Sequence, residues 1–214
     1  NDGDTVILMP GTYTGPANTN IDFLGKPITL RSTNPTDPQT VAKTIIDCNG
    51  TEANPRRAFI FDSNETPHSI LAGLTITRGY ALGLDYSTWG GTIHCIQAAP
   101  TIRNCTMTRS AAYWGGAIYC EDSNGIGIDK CLFKNNSADL AGAIYCFESS
   151  GRITGCIFHD NIATENKAGA VRIRESDVTI TDCIFRGNSA IPGRYPERAV
   201  AGALAIARCE ASLN

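Results

Sequence analysis

The stretch Ile102-Arg103-Asn104-Cys105-Thr106-Met107 returns as Ile128-Asp129-Lys130-Cys131-Leu132-Phe133, Ile153-Thr154-Gly155-Cys156-Ile157-Phe158 and Ile180-Thr181-Asp182-Cys183-Ile184-Phe185. Its cysteines lie 26, 25 and 27 residues apart. A second phrase runs between these copies: Gly90-Gly-Thr-Ile-His-Cys95, Gly115-Gly-Ala-Ile-Tyr-Cys120, Ala141-Gly-Ala-Ile-Tyr-Cys146, Ala168-Gly-Ala-Val-Arg-Ile173 and Ala201-Gly-Ala-Leu-Ala-Ile206. Two phrases recurring in phase are the signature of a repeat architecture. Each is short, alternates with period two and is rich in Ile, Val, Thr, Tyr and Cys, so each reads as a strand. Gly, Asn, Ser and Asp separate them as turns. No stretch carries a helical period, and the Leu-x-x-Leu-x-Leu frame of a leucine-rich repeat is absent. The pattern predicts an all-β chain, a parallel β-helix (solenoid) of 25–27 residues per coil, in which equivalent residues of successive coils stack about 4.8 Å apart.

Alternation assigns faces. The inward columns are Ile93/Ile118/Ile144/Val171/Leu204, Cys95/Cys120/Cys146/Ile173/Ile206, Cys105/Cys131/Cys156/Cys183 and Met107/Phe133/Phe158/Phe185. Ile stands in for Cys within one column, which makes Cys a small apolar core residue there. Parallel in-register Cβ atoms stay near 4.8 Å, wider than the roughly 3.8 Å a disulfide prefers, so the thiols are expected free and buried. Gly116, Gly142, Gly169 and Gly202 mark a corner of unusual backbone geometry or close approach. Asn136, Asn161 and Asn188, three residues after the Phe column, are expected to pass amide hydrogen bonds from coil to coil.

The whole chain has 214 residues, 18 Lys and Arg, 21 Asp and Glu, and a net charge of -3. A weakly acidic surface is a poor general binder of nucleic acid. No run of 18 apolar residues exists to span a membrane. Nine cysteines contain no Cys-x-x-Cys pair, against zinc ribbons and thioredoxin chemistry. Residues 1–88 repeat the grammar loosely, with a strand over 4–13 closed by a turn, strands near 28–32, 44–48, 58–62 and 69–76, and loops at 15–26, 33–41, 49–57 and 79–89. Leu71 to Thr77 aligns with Ile102 to Thr108, placing Leu74 in the Cys105 column. Residues 89–214 hold the regular repeats. With no linker or break in composition, 1–214 is expected to be one domain of seven or eight coils. Neither end shows the cap a solenoid needs, so the chain is expected to be an excerpt of a longer protein.

The alternation of Gly-Gly-Ala-Ile (115–118) with Phe-x-x-Asn (133–136, 158–161, 185–188) resembles the polymorphic outer membrane protein repeat of bacterial surface adhesins. Gly-Asp-Thr-Val-x-x-x-Pro-Gly-x-Tyr (3–13) resembles the opening coil of pectate-lyase-like right-handed parallel β-helices. The resemblance covers nearly the whole chain and implies a right-handed β-helix that is exported or on the cell surface. Its copies vary: Met107 and Ser110 replace Phe and Asn, and Ala replaces the first Gly at 141, 168 and 201. Because this fold hosts lyases, hydrolases, adhesins and spikes, function must come from the surface.

Outward columns are the natural binding surface of a solenoid. One holds His94, Tyr119, Tyr145, Arg172 and Ala205; beside it run Ile96, Glu121, Phe147, Arg174 and Ala207. Aromatic rings that stack on sugars and Arg forks that hold carboxylate or sulfate suit a polysaccharide or cell-surface glycan; ordinary sheet surface carries the same residue types. Trp89 and Trp114, with Tyr113 and Tyr86 nearby, form either a carbohydrate platform or a cover over the Gly corner. Asp122, Glu148 and Glu175 stack at one-coil spacing, where a Ca²⁺ ion could bridge them or solvent screen them. With Arg172 and Arg174 they match by type a Ca²⁺-assisted polysaccharide lyase, whose base removes a proton beside a neutralised carboxylate. Lys134, His159 and Arg186 form a cationic column. His68, His94 and His159 have no partners visible in sequence. The insertion 191–200 offers Arg194, Tyr195 and Arg198 as recognition residues or is a spacer. Three functions follow: a noncatalytic adhesin, stalk or carbohydrate-contacting surface; an enzyme, a polysaccharide lyase or glycoside hydrolase on acidic polysaccharide; or a spike or filament module that self-associates through its coil ends.

Overall fold

Strand-length phrases that each hide one face and cannot do so alone must stack, and the computed structural model shows how. It describes residues 1–82, 89–165, 167–192 and 201–207. All strands pair in parallel within four sheets. In a regular coil, Ile118–Glu121 lies in a front sheet, Asn124–Asp129 in a second, Leu132–Lys134 in a third and Ser137–Ala138 in a fourth. Among the described residues the first three sheets have seven strands and the fourth has five. The columns inferred from spacing are the observed register: Cys95↔Cys120↔Cys146↔Ile173↔Ile206 in the front sheet and Ile76↔Met107↔Phe133↔Phe158↔Phe185 in the third. Phe133, Phe158 and Phe185 stack almost parallel with centroids 5.0 and 4.8 Å apart.

Three corners of each regular coil share one device, a single residue in the left-handed region. Gln97, Asp122, Glu148 and Glu175 occupy it between the front and second sheets (φ 46 to 52°). Asn104, Lys130, Gly155 and Asp182 do so between the second and third, and Arg109, Asn135, Asp160 and Gly187 between the third and fourth. One such residue turns the chain sharply and resets the alternation, so that the next side chain points inward. That next residue is Ser at the first corner (Ala98 after Gln97), Cys at the second and Asn at the third (Ser110 after Arg109).

Each of these inward residues builds a ladder. At the first corner, Ser123 N–H donates to Ser149 Oγ (3.1 Å) and Ser149 N–H to Ser176 Oγ (3.0 Å). Cys131 N–H donates to Cys156 Sγ and Cys156 N–H to Cys183 Sγ, both at 3.4 Å. The Asn ladder is the fullest. Asn136 donates from N–H (3.1 Å) and Nδ2 (3.0 Å) to Asn161 Oδ1, and Nδ2 also donates to Met107 O (3.0 Å). Asn161 repeats this toward Asn188 and Phe133 O. Ser110, in the variant copy, still receives the ladder: its N–H donates to Asn136 Oδ1 at 3.1 Å. Buried corner backbone thus finds partners without water.

The fourth corner is built from glycine because nothing larger fits. A Cβ on Gly142 would sit 2.1 Å from Gly169 O, and one on Gly116 would sit 2.3 Å from Gly142 O. Repeat length varies for two visible reasons. Gly125 (φ 102°) is an extra residue in a bulge between Asn124 and Ile126, which lengthens the 105–131 unit by one. Among the regular repeats the other length changes fall at the fourth corner, whereas the insertion at 33–43 falls at the second.

The eight described cysteines are free. Burial pushes the Cys48 thiol up to about 12 and raises Cys131 well above its ordinary value, so these two sulfurs stay protonated.

Two details depart from expectation. The segment 4–13 is two strands, Thr5–Leu8 and Gly11–Thr14, in different sheets, with Pro10 between them. The loop at 33–41 contains a helix, Pro38–Lys43, capped by Asp37, whose carboxylate accepts from Gln39 and Thr40 N–H. Among the described residues no helix is long and apolar enough to cross a membrane.

Candidate functional site

The outer face of the front sheet gathers the sequence-nominated aromatics. Strand alternation turns His94, Tyr119, Tyr145 and Arg172 outward in one column, and Glu121, Phe147 and Arg174 in the next. Trp89 and Trp114 each precede a left-handed glycine, Gly90 (φ 72°) and Gly115 (φ 63°). That corner folds the indoles over the sheet. The two rings lie 3.9 Å apart at 30°. Trp89 packs edge-on to Tyr119 (4.8 Å) and Trp114 edge-on to Tyr145 (5.5 Å), geometry that suits the aromatic quadrupole. Arg172 lies over Tyr145 at 5.6 Å and Arg174 over Phe147 at 4.9 Å.

This face is not the open platform that alternation predicts. Tyr119 and Tyr145 are 0 and 1% exposed and Trp89 4%. The indoles roof the tyrosines, so these rings form a second, small core outside the tube. Trp114, Tyr113 and Phe147 are only partly buried and form its edge. Beside them lies a shallow cleft of about 110 Å³. Its carboxylate, Glu121, accepts the Tyr119 hydroxyl at 2.9 Å. Burial, then the Glu121 charge, raises Tyr119 far above the usual phenol range. Hydrogen bonds with Tyr145 first and then Glu175 raise Arg174, whose ion pair with Glu175 is 3.0 Å long.

His94, without a partner visible in sequence, has one in space. Its Nδ1 donates to Trp89 O (3.1 Å), and its ring stacks on Tyr119. Burial first, then the Arg57 charge, lowers it to about 4, so it is neutral at physiological pH. Arg57, absent from the sequence reading, is 7% exposed and donates to the same carbonyl at 2.7 Å. An arginine in a loop carries no sequence signal for that role.

The other candidates divide. Asp122, Glu148 and Glu175 form a column as expected, but as left-handed corner residues. Among the described residues, no three His, Cys, Asp or Glu side chains gather to hold a metal ion. Lys134, His159 and Arg186 are in register, with His159 2.9 Å from Asp160. Tyr86, Arg194, Tyr195 and Arg198 lie outside the described residues.

A family model described as a right handed beta helix region matches residues 41–207. No curated protein matches the chain, and no solved structure does.

Proposed function

The chain belongs to the right-handed beta helix family, and from that premise we propose that it is a noncatalytic, exported β-helix, part of an adhesin or stalk, whose front face contacts carbohydrate. The observation that carries this reading is the aromatic cluster: rings tied together across several coils, with the half-buried edges of Trp114 and Phe147 at its rim and Arg172 and Arg174 over its lower rings. A cleft of about 110 Å³ is small beside the roughly 300–1,000 Å³ of sites that engulf ligands, so contact by ring edges and arginine forks suits it better than burial of a whole sugar. General acid–base cleavage needs a donor and an acceptor facing one bond. The cleft's carboxylate is already committed to Tyr119.

Export is supported by the resemblance of the Gly-Gly-Ala-Ile and Phe-x-x-Asn copies to the polymorphic outer membrane protein repeat. A glycan array with Trp114→Ala and Phe147→Ala controls tests the reading. Wild-type binding that both variants weaken supports it. A blank array refutes it, and so does unsaturated uronate appearing on incubation with alginate or pectate.

A further inference from the structure

The insertion at 33–43 does more than lengthen one coil. Pro35 packs on the second corner of the following coil, where a Cβ on Gly73 would lie 2.2 Å from Pro35 Cα. The helix Pro38–Lys43 then lies against the outer face of the third sheet, with Thr75 Oγ1 donating to Val41 O at 2.8 Å. The helix ends there, but the face it covers goes on. The outward column continues in register from Thr75 through Thr106, Leu132 and Ile157 to Ile184. Ile157 and Ile184 are 40 and 43% exposed. Between the helix and this column runs a groove of about 620 Å³, within the roughly 300–1,000 Å³ of ligand sites. An insertion on a regular solenoid is a common carrier of recognition.

Three properties of the groove select its occupant. Its walls are aliphatic, with Pro38 and Ala42 on the helix side and Leu132 and Ile157 on the sheet side, and no aromatic ring lines it to stack on a sugar. Its one charged lining residue is Lys130, two residues before Leu132. On the other side of the aliphatic column stand Lys134 and Arg186, both exposed. Among the described residues none of these three cations forms an ion pair. Of the nearby acids, Asp160 is 2.9 Å from His159, and Asp182 flanks only the last coil. The face is thus cationic on a chain of net charge -3, and two copies of it would repel. The third property is backbone chemistry. The sheet's N–H and C=O groups are used between coils, so an extended segment laid across its face would leave its own groups without partners. A helix satisfies them internally, as Pro38–Lys43 does on the earlier coils. We propose that this groove docks an acidic amphipathic helix of a partner protein. Its aliphatic residues pack on Leu132, Ile157 and Ile184 beside Pro38 and Ala42, and its carboxylates meet Lys130, Lys134 and Arg186. Thr106 to Ile184 is three coil steps, about 14 Å, the length of about ten helical residues.

Fluorescence anisotropy with the full chain tests this. The probe is a labelled synthetic peptide of about 15 residues, long enough to hold a helix, with Leu at i, i+3, i+4 and i+7 and Glu on both flanks. A second peptide carries Lys at every Glu. The acidic peptide is expected to bind at least about tenfold tighter than the basic one, and more weakly as salt rises. Ile157→Asp changes an exposed side chain and is expected to weaken the acidic peptide about tenfold or more. The double change Lys130→Glu and Lys134→Glu is expected to reverse the preference between the peptides; circular dichroism checks that each variant folds. Equal affinity for the two peptides, binding that survives Ile157→Asp, or no binding at about 1 mM peptide overturns the proposal. Dimerisation of the chain alone in sedimentation, or adsorption to phosphatidylglycerol vesicles, overturns it too where Ile157→Asp abolishes the effect, since the groove then serves a second copy or a membrane. The glycan array reads the front face, a different surface, so either reading can fail while the other stands.

Discussion

Replacing Asn161 by Ala removes one rung of the third-corner ladder, and the structure says what it strands. Asn136 N–H and Nδ2 lose the oxygen they share, and Phe133 O loses its Nδ2 donor. Asn136 and Asn161 are both 0% exposed, so solvent cannot replace what is lost. Each buried orphan costs about 1–3 kcal/mol. Some relaxation is expected among adjacent groups, so a loss of about 3–5 kcal/mol is the working value. Chemical denaturation measures the total, and amide exchange locates it, with Asn136 N–H losing protection. Asn161→Asp sharpens the test. It keeps an oxygen for Asn136 but cannot donate to Phe133 O, so at neutral pH it should be destabilised and recover partly on acidification. A loss below about 1 kcal/mol in Asn161→Ala, with Asn136 still protected, would refute the view that side chains satisfy this corner.

Four further outcomes follow from the same geometry. Phe158→Ala opens a gap between two stacked rings and should lose about 3–5 kcal/mol by denaturant midpoint. Gly142→Ala, with its Cβ driven onto a backbone oxygen, should fail to fold or lose more than about 3 kcal/mol, whereas Gly155→Asn, at φ 62° with Lys130 Cγ 3.3 Å away as its nearest neighbour, should stay within about 1 kcal/mol. The buried cysteines should resist Ellman's reagent in the native state and react on unfolding; fast labelling of the folded chain would contradict the ladder. For His94 the folded value, about 4, lies below the unfolded value of about 6.5. As pH falls through that window the unfolded chain takes up the proton first, so stability should drop by roughly 3 kcal/mol between about pH 6.5 and 4. His94→Gln should flatten that part of the profile.

Much of this fold was legible because a parallel coil writes its register into the sequence. Cys131 and Cys156 are neighbours in the column their spacing implies, and even Leu74, in the irregular part, falls where alignment with Cys105 puts it. The corners were less legible. Lys130, Gln97 and Arg109 read as ordinary polar residues, yet each holds a left-handed backbone that the surrounding hydrogen bonds impose. The capping signal of Asp37-Pro38 was present, but six helical residues are too short to show a period. The candidate site shows a deeper limit. Alternation tells which side of a sheet Tyr119 and Tyr145 face; it does not tell that Trp89 and Trp114, thirty residues and five residues before Tyr119, fold back to roof them. The acidic column read either as a cation site or as a solvated turn for a related reason: identical spacing reports stacking, and the left-handed corner stacks Asp122, Glu148 and Glu175 whatever their chemistry.

The ladders all run one way, each rung giving its N–H to the heteroatom of the rung that follows in sequence. A twenty-five-residue segment such as 132–156 therefore has a donor side and an acceptor side that match any neighbour's. Spliced in again after Cys156, it would meet partners at all three bends; spliced in a few residues out of phase, it would set Ser against Cys and Phe against solvent. Such a molecule can be grown or shortened like a stack of identical washers, by whole pieces and in a single orientation.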